Sequence, residues 1–211
     1  MNFDRLAPHY HWMEALSGGR MLQQARTVWL DELKDCRRIL SAGEGHGRFA
    51  DACTTRFPKA ELTCIEASGA MIAAAKKHLD HAERKVRWHH SELLRWPTDE
   101  KFDAIVTCFF LDCFPPDALA AVVKKLADCT TPDAVWIVVD FALPAKGPAR
   151  WRAQFVHALM YAFFRRVVGL PARRLTAPDA LLRARGFQLI GRREYNWGLL
   201  HADLWRRKPC E

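Results

Sequence analysis

Short apolar runs alternate with stretches of helical periodicity through the first 141 residues. Five apolar runs, each bounded by turn residues, predict strands: Arg38–Ala42, Glu61–Glu66, Lys85–His89, Phe102–Phe110 and Ala134–Phe141. Apolar residues spaced three and four apart predict helices around them: Arg20–Leu33, Arg48–Phe57, Ala70–His78 and Pro116–Ala127. This alternation indicates a doubly wound α/β fold, in which helices cover both faces of a parallel sheet.

The last third of the chain departs from this alternation. It predicts a long apolar helix over Trp151–Val168 and a shorter helix over Ala177–Arg185. Two strands follow, Phe187–Tyr195 and Leu199–Trp205, and only three residues separate them. So short a connection permits only an antiparallel pair. The expected fold is therefore a mostly parallel seven-stranded sheet with a final antiparallel strand.

Length and composition indicate one globular domain. The chain has 211 residues, of which half are hydrophobic and 27% are charged. We expect a single domain over 1–211, with a helical leader at 1–35 and a helical cap insertion at 144–176. The N-terminal sequence has no apolar signal-peptide region. The seven cysteines form no Cys-x-x-Cys pair, so no metal site is predicted and a cytoplasmic location is favoured.

The net charge of +8 is unevenly distributed along the chain. The segment from Lys146 to Glu211 carries 14 Lys/Arg against four Asp/Glu, whereas the preceding residues carry 18 against 20. A basic surface can attract nucleic acid, an anionic membrane or an acidic substrate. Because most of these arginines occur in scattered pairs, solvated outer faces of helices are the favoured explanation.

Three closely spaced glycines lie between the first strand and the following helix. Gly43, Gly45 and Gly47 allow the backbone to turn sharply and leave room for a ligand beside it. The N-terminus of the helix that follows offers unpaired N–H groups. Loops of this kind also bind dinucleotides, so the glycines alone leave both ligand classes open.

An acidic residue at the end of the second strand narrows the choice of ligand. Glu66 lies 19 residues after Gly47, where a carboxylate can accept hydrogen bonds from both hydroxyls of a ribose. The dinucleotide motif places its third glycine where this chain has Arg48. A nicotinamide cofactor is therefore the weaker alternative.

In these residues the chain resembles the class I S-adenosylmethionine-dependent methyltransferases, in particular the small-molecule and quinone branch. The resemblance implies that the glycine loop and Glu66 bind S-adenosylmethionine, and that Glu92 and Leu93 lie beside the adenine ring. It also assigns four further residues to the cofactor site: Ala67, Met71, Cys108 and Phe109.

The chain departs from the family pattern within the glycine loop. The family often has an acid two residues before the first glycine, where this chain has Ser41. Glu44 occupies a loop position that is small in many relatives. We hypothesise that Glu44 partly replaces the missing acid near the methionine amino group; an exposed loop acid is the equal alternative.

Two residues are candidates for the acceptor side of the site. The segment Phe3–Tyr10 resembles the leader that closes over the cofactor in small-molecule methyltransferases, and there Tyr10 would face the acceptor. Asp112 follows the fourth strand, at the edge where open α/β sheets bind ligands. A loop or capping acid explains Asp112 equally well. A general base is needed only if the acceptor has a proton to lose.

The sequence therefore predicts an enzyme that transfers a methyl group from S-adenosylmethionine to a small, apolar or aromatic acceptor. The alternatives are an RNA or protein methyltransferase that uses the basic C-terminal third, and a non-catalytic cofactor-binding protein. Cys108–Leu111 lacks the Asn/Asp-Pro-Pro-aromatic signature of nucleic-acid enzymes, so nucleic acid is disfavoured as a partner. Arginines flank the helix Trp151–Val168, for which a peripheral membrane contact is the alternative to a cap over the pocket. The oligomeric state is not indicated.

Overall fold

The structure is a computed structural model that describes Asp4, residues 19–79 and residues 86–208. The strands are β1 Arg38–Ala42, β2 Glu61–Glu66, β3 Val86–His90, β4 Phe102–Cys108, β5 Thr130–Phe141, β6 Phe187–Tyr195 and β7 Leu200–Arg207. The helices of the described residues are α1 Gly19–Thr27, α2 Arg48–Arg56, α3 Gly69–His78, α4 Pro116–Asp128, α5 Pro148–Val168 and α6 Asp179–Ala184.

One sheet contains all seven strands in the order β3-β2-β1-β4-β5-β7-β6. The first five strands pair in parallel, and β7 runs antiparallel to both β5 and β6. This topology confirms the predicted doubly wound α/β fold with a final antiparallel strand.

Both faces of the central strands β1, β4 and β5 are buried, which explains why these strands are apolar at consecutive positions, whereas the edge strands β3 and β6 keep exposed residues. Ile39 and Leu40 are adjacent on β1 and point to opposite faces, so each belongs to a different apolar cluster. Helices α1 and α2 cover the face of Ile39, and helices α4 and α6 cover the face of Leu40. The core therefore has the three layers that the alternating pattern predicts.

The structure corrects several predicted boundaries. Strand β4 ends at Cys108 rather than Phe110, because Phe109 adopts a left-handed backbone with φ of 54°. Helix α5 begins at Pro148, three residues before the predicted start, since a proline in the first turn needs no backbone donor. The predicted leader helix ends at Thr27 and is followed by a short 3₁₀ turn. The division into leader, core and cap stays a prediction.

The carboxyl ends of the parallel strands meet at one edge of the sheet. Strands β1 and β4 are neighbours although two strands separate them in sequence, so the winding of the sheet reverses between them. Backbone bonds fix the strand ends at this point: the Gly43 N–H donates to the Ile65 carbonyl at 2.9 Å, and the Ser91 N–H donates to the Glu66 carbonyl at 3.1 Å. Open α/β sheets bind their ligands at such a reversal.

Candidate active site

A cavity of about 360 Å³ lies at this edge of the sheet. Ten of the residues predicted to bind the cofactor line it: Gly43, Glu44, Gly45, Glu66, Ala67, Met71, Glu92, Leu93, Cys108 and Phe109. The volume falls in the usual range for pockets that hold a small ligand or a cofactor. Residues from β1, β2, β4 and the segment after β3 thus surround one space.

The glycine loop adopts a backbone that favours glycine at each of its three positions. Gly43, Gly45 and Gly47 have φ values of 71°, 65° and 87°. A Cβ at Gly45 would meet nothing within 4 Å, so the loop leaves open space there. A Cβ at Gly47 would lie 3.0 Å from the Cβ of Ala75 on α3. Gly47 therefore allows close helix packing, whereas Gly45 leaves room beside the loop.

The Glu66 carboxylate is anchored by backbone donors and still has bonding capacity. It accepts hydrogen bonds from the Gly45 N–H at 3.0 Å and the Ser68 N–H at 2.8 Å. Burial raises the pKa of Glu66. A carboxylate offers about four lone-pair sites, so about two remain for ligand hydroxyls. This acid fits the two hydroxyls of a ribose.

Glu44 contacts Ser41, the residue that occupies the position where the family often has an acid. One Glu44 oxygen accepts from the Ser41 hydroxyl at 2.5 Å, and the other accepts from the Ala50 N–H at 2.8 Å. Burial raises the pKa of Glu44 to about 7, against the opposing effects of these hydrogen bonds and of Arg26. Glu44 lines the cavity, as the hypothesis of a substitute acid requires.

Arg26 lines the same cavity and was not singled out from the sequence. It lies on α1 and is buried, and its guanidinium carbon is 5.0 Å from the centre of the Phe109 ring. The available signal was its position, since Arg26 is one residue after Ala25 and four after Leu22, both of them buried. Within the protein the Arg26 guanidinium donates to the Gln23 side chain at 3.5 Å, and its charge lowers the pKa of Glu44.

The leader contributes one described residue beside the cavity. Asp4 accepts hydrogen bonds from the Ser68 hydroxyl at 2.5 Å and from the Ala70 N–H at 3.3 Å, at the start of α3. The hydrogen bond from Ser68 lowers the pKa of Asp4. Tyr10, the predicted acceptor residue of the leader, lies outside the described residues, so its role stays a prediction.

The cavity also has an apolar part, which reaches the glycine loop: a Cβ at Gly43 would collide with the Phe110 ring. Phe110, Phe114, Pro115 and Pro171 all line the cavity, and the rings of the two phenylalanines meet edge-on with centres 5.0 Å apart. Pro171 follows α5, so the segment after that helix borders the cavity. This part of the cavity suits an apolar or aromatic group.

Asp112, the predicted catalytic acid, lies in a second cavity of about 180 Å³ and does not line the first. It shares this second cavity with Asp140 and His201, whereas the adjacent Cys113 lines the first cavity. Asp112 is only 6% exposed, and its backbone carbonyl accepts a hydrogen bond from the Tyr161 hydroxyl at 3.0 Å. Asp112 therefore lies next to the cofactor cavity but lines only the second cavity.

Asp112 and Asp140 form a buried acid pair. Burial raises the pKa of Asp112 to about 6. Burial, reinforced by the charge of Asp112, raises the pKa of Asp140 well above its usual range. One Asp140 oxygen accepts from the Phe110 N–H at 3.0 Å and so fixes the turn that follows β4.

An ionic network of residues from α6, β6 and β7 borders the second cavity. Asp203 is fully buried, and its oxygens accept from Arg192 at 2.7 and 2.6 Å. The same guanidinium donates to Asp179 at 2.9 Å. His201 lies 3.3 Å from Asp203 and faces the cavity from β7. No sequence pattern indicates this grouping, because its members come from α6, β6 and β7.

Residues 39–133 match the family model of a methyltransferase domain. A tRNA1(Val) (adenine(37)-N6)-methyltransferase of Vibrio campbellii is 31% identical over 81 residues, which are 37% of this chain and 31% of that protein. A demethylmenaquinone methyltransferase of Thermus thermophilus is 29% identical over 150 residues, which are 69% of this chain and 66% of that protein.

Solved methyltransferases share the fold. The mitomycin 7-O-methyltransferase MmcR matches with a TM-score of 0.73 and 18% identity, over 98% of this chain and 61% of that one. The chain thus spans about a third of the Vibrio relative's length and less than two thirds of MmcR. Residues 39–133, a little under half of the chain, thus match a methyltransferase domain, and the whole fold is one that solved methyltransferases share.

Proposed function

We propose that this protein transfers a methyl group from S-adenosylmethionine to a small apolar or aromatic acceptor. One observation carries the proposal: ten residues predicted for the cofactor surround a single cavity where the winding of the sheet reverses. Apolar residues also line this cavity and could receive the acceptor. The cofactor and the acceptor would then share one cavity.

The chain's own residues would hold the cofactor along its length. Glu66 would accept from the ribose hydroxyls, while Glu92 and Leu93 would lie at the adenine. When bound, the cofactor supplies an electrophilic methyl group on a sulfonium. Arg26 is a cation, Glu44 has a pKa of about 7 and so is partly ionised at neutral pH, and both line the cavity. They would match the ammonium and carboxylate groups of the methionine end.

The protein's main contribution to the reaction would be alignment and the exclusion of water. Methyl transfer is an in-line displacement, so its rate depends on how the acceptor atom is held against the methyl group. Phe109 and Phe110 lie in the turn that Asp140 holds, and both line the cavity. Their rings would exclude water and orient a planar acceptor.

Asp112 is our candidate for the general base, a role that requires the acceptor hydroxyl to extend past Cys113 into the second cavity. Its pKa of about 6 leaves it ionised at neutral pH, so it could take a proton from an acceptor hydroxyl. Asp140 would then act as a positioning residue, since its carboxyl group accepts from the Phe110 N–H and so fixes the turn that leads to Asp112. Acceptors without a proton to lose would not need Asp112.

Two of the comparisons favour a small-molecule acceptor. The Thermus relative acts on demethylmenaquinone and MmcR on mitomycin, as their names state. The Vibrio relative acts on tRNA, but it aligns with only 37% of this chain. The stretch Cys108–Leu111 also lacks the signature expected of nucleic-acid methyltransferases.

The test is methyl transfer from labelled S-adenosylmethionine to a panel of acceptors. The panel contains hydroquinones, phenols, aromatic N-heterocycles and total tRNA, and each product is separated by solvent extraction. We expect label in an organic-soluble, small aromatic product. Label confined to tRNA, or cofactor binding with no transfer to any acceptor, would overturn the proposal.

A further inference from the structure

The outward face of α5 is apolar along most of its length. One side of the helix is buried through Ala153, His157, Tyr161 and Val168. The opposite side presents four large apolar side chains at intervals of four residues, which we call the α5 stripe: Trp151, Phe155, Leu159 and Phe163, exposed by 75%, 67%, 58% and 44%. Residues this large rarely form a continuous exposed row unless the surface has a partner.

The turn between β6 and β7 extends this apolar surface. Trp197 is 78% exposed and adopts a left-handed backbone with φ of 58°. The Arg152 guanidinium lies 5.0 Å from the centre of its ring and donates to the Asn196 carbonyl at 2.5 Å. Arg152 therefore holds Trp197 beside the N-terminal half of α5.

The charge around the α5 stripe has one sign. The 29 residues from 146 to 174 contain no Asp or Glu. They contain seven cationic side chains: Lys146, Arg150, Arg152, Arg165, Arg166, Arg173 and Arg174. The helix thus presents uncharged apolar residues along its outer face and cations at both ends. A partner for this surface must be apolar within and anionic at its boundary.

We propose that the α5 stripe and Trp197 bind the surface of an anionic phospholipid bilayer, with α5 lying parallel to the membrane plane. Apolar side chains of such a helix enter the boundary between headgroups and acyl chains, and tryptophan is favoured at that depth. Each nearby cation adds attraction to anionic headgroups. In the described ranges, no helix is long and apolar enough to cross a membrane, so the contact is peripheral.

Two other occupants fit the surface less well. A second copy of this chain would bring seven further cations against the same seven, and like charges in contact oppose association. A nucleic acid would neutralise the cations through its phosphates, but it would leave most of the α5 stripe in water. The proposal does not depend on methyl transfer, because it rests on exposed residues outside the cofactor cavity.

The test is sedimentation of the purified protein with vesicles. We expect binding to phosphatidylcholine vesicles that contain about a third phosphatidylglycerol, and at least about tenfold weaker binding to phosphatidylcholine alone. The double variant Phe155→Ser/Leu159→Ser should bind the anionic vesicles about tenfold or more weakly. Ile190→Ser, an exposed apolar position on β6, is the matched control and should bind like the wild type.

A second pair of variants tests the charge requirement. Arg165→Gln/Arg166→Gln should weaken binding to anionic vesicles several-fold. The control is Lys34→Gln/Lys59→Gln, which changes two exposed cations far from α5 in sequence and should bind like the wild type. All variants are first shown to melt at the wild-type temperature. The proposal fails if the protein does not sediment with anionic vesicles, or if the α5 variant binds them as the wild type does. It also fails if that variant abolishes a dimer seen by sedimentation velocity, which would assign the surface to a second copy.

Discussion

The cofactor cavity and the acid pair beside it are built in different ways. At the cofactor cavity, Glu66 is held by backbone N–H groups of the loops that follow β1 and β2. In the second cavity, Asp112 and Asp140 are brought together from segments 28 positions apart, and His201 joins them from the last strand. The first arrangement rests on backbone donors at the ends of neighbouring strands, whereas the second depends on the packing of side chains.

The difference separates two tasks within one fold. A glycine loop and a backbone-anchored carboxylate suit a ligand common to a whole class of enzymes. The side chains of the second cavity come from β5, β7 and the turn after β4 and lie outside the cofactor cavity, so they can differ between enzymes that share a cofactor. Mutations in the two regions should therefore affect cofactor binding and acceptor turnover separately.

The largest expected effect comes from the acid pair. Asp112→Asn should lower kcat for hydroxyl acceptors by roughly 10²- to 10⁴-fold, because a positioned base contributes about that much. Thioether or tertiary amine acceptors have no proton to lose and should react at the wild-type rate. Affinity for S-adenosylmethionine should stay unchanged. An equal loss of rate with both kinds of acceptor would remove Asp112 from the role of base.

The glycine loop should show the next largest effect. Gly47→Ala combines a φ of 87° with a contact of 3.0 Å to Ala75 on α3, so we expect a loss of about 3 kcal/mol in unfolding free energy. Gly169→Ala has a similar φ of 69° but open space around it, and should cost about 1 kcal/mol. Urea denaturation measures both variants. Equal losses would mean that packing against α3 is not the reason for glycine at position 47.

Arg26 tests where the methionine carboxylate of the cofactor lies. Arg26→Gln should weaken binding of S-adenosylhomocysteine by about 30-fold, because a buried charge pair with the methionine carboxylate is lost. Adenosine lacks that carboxylate, so its affinity should not change. Arg20→Gln, an exposed arginine on the same helix, serves as the control. If Arg26→Gln weakened adenosine equally, Arg26 would be supporting the cavity rather than contacting the carboxylate.

The smallest expected effect is on the pH dependence of stability. The pKa of Asp112 rises from 3.8 to about 6 on folding, so the native state holds this proton more tightly than the unfolded chain. Its stabilising contribution is therefore fully present below about pH 4 and is lost as the pH rises to about 6. Over that interval the unfolding free energy of the wild type should fall relative to Asp112→Asn. Asp133→Asn, an exposed control, should run parallel to the wild type.

Most of the fold could be predicted because its signals are local. The predicted bounds of β1, β2 and β6 agree with the structure at every residue. The predicted end of β4 was wrong because Asp140, 30 residues away from Phe110, accepts its N–H and holds the turn. No pattern within residues 102–110 carries that information.

The candidate sites likewise contain residues that local patterns predict and residues that only tertiary packing brings together. The residues of the cofactor cavity lie at strand ends, where the order of elements alone places them together. Arg26 was missed because its significance appears only once α1 packs beside the β4 turn. The placement of Asp112 in a separate cavity likewise depends on how α5 and the β6–β7 hairpin close around it. Tertiary packing, rather than local sequence, decides these positions.

The central claim is that Glu66 and the glycine loop bind the adenosine part of S-adenosylmethionine. Titration calorimetry with S-adenosylhomocysteine tests it most directly, with the wild type compared with Glu66→Ala and with Glu61→Ala at the exposed start of the same strand. We predict that Glu66→Ala binds about 100-fold more weakly, since two ribose hydroxyls lose their acceptor, and that Glu61→Ala binds like the wild type. Unchanged affinity in Glu66→Ala, or no heat with this ligand while NADH binds, would contradict the account.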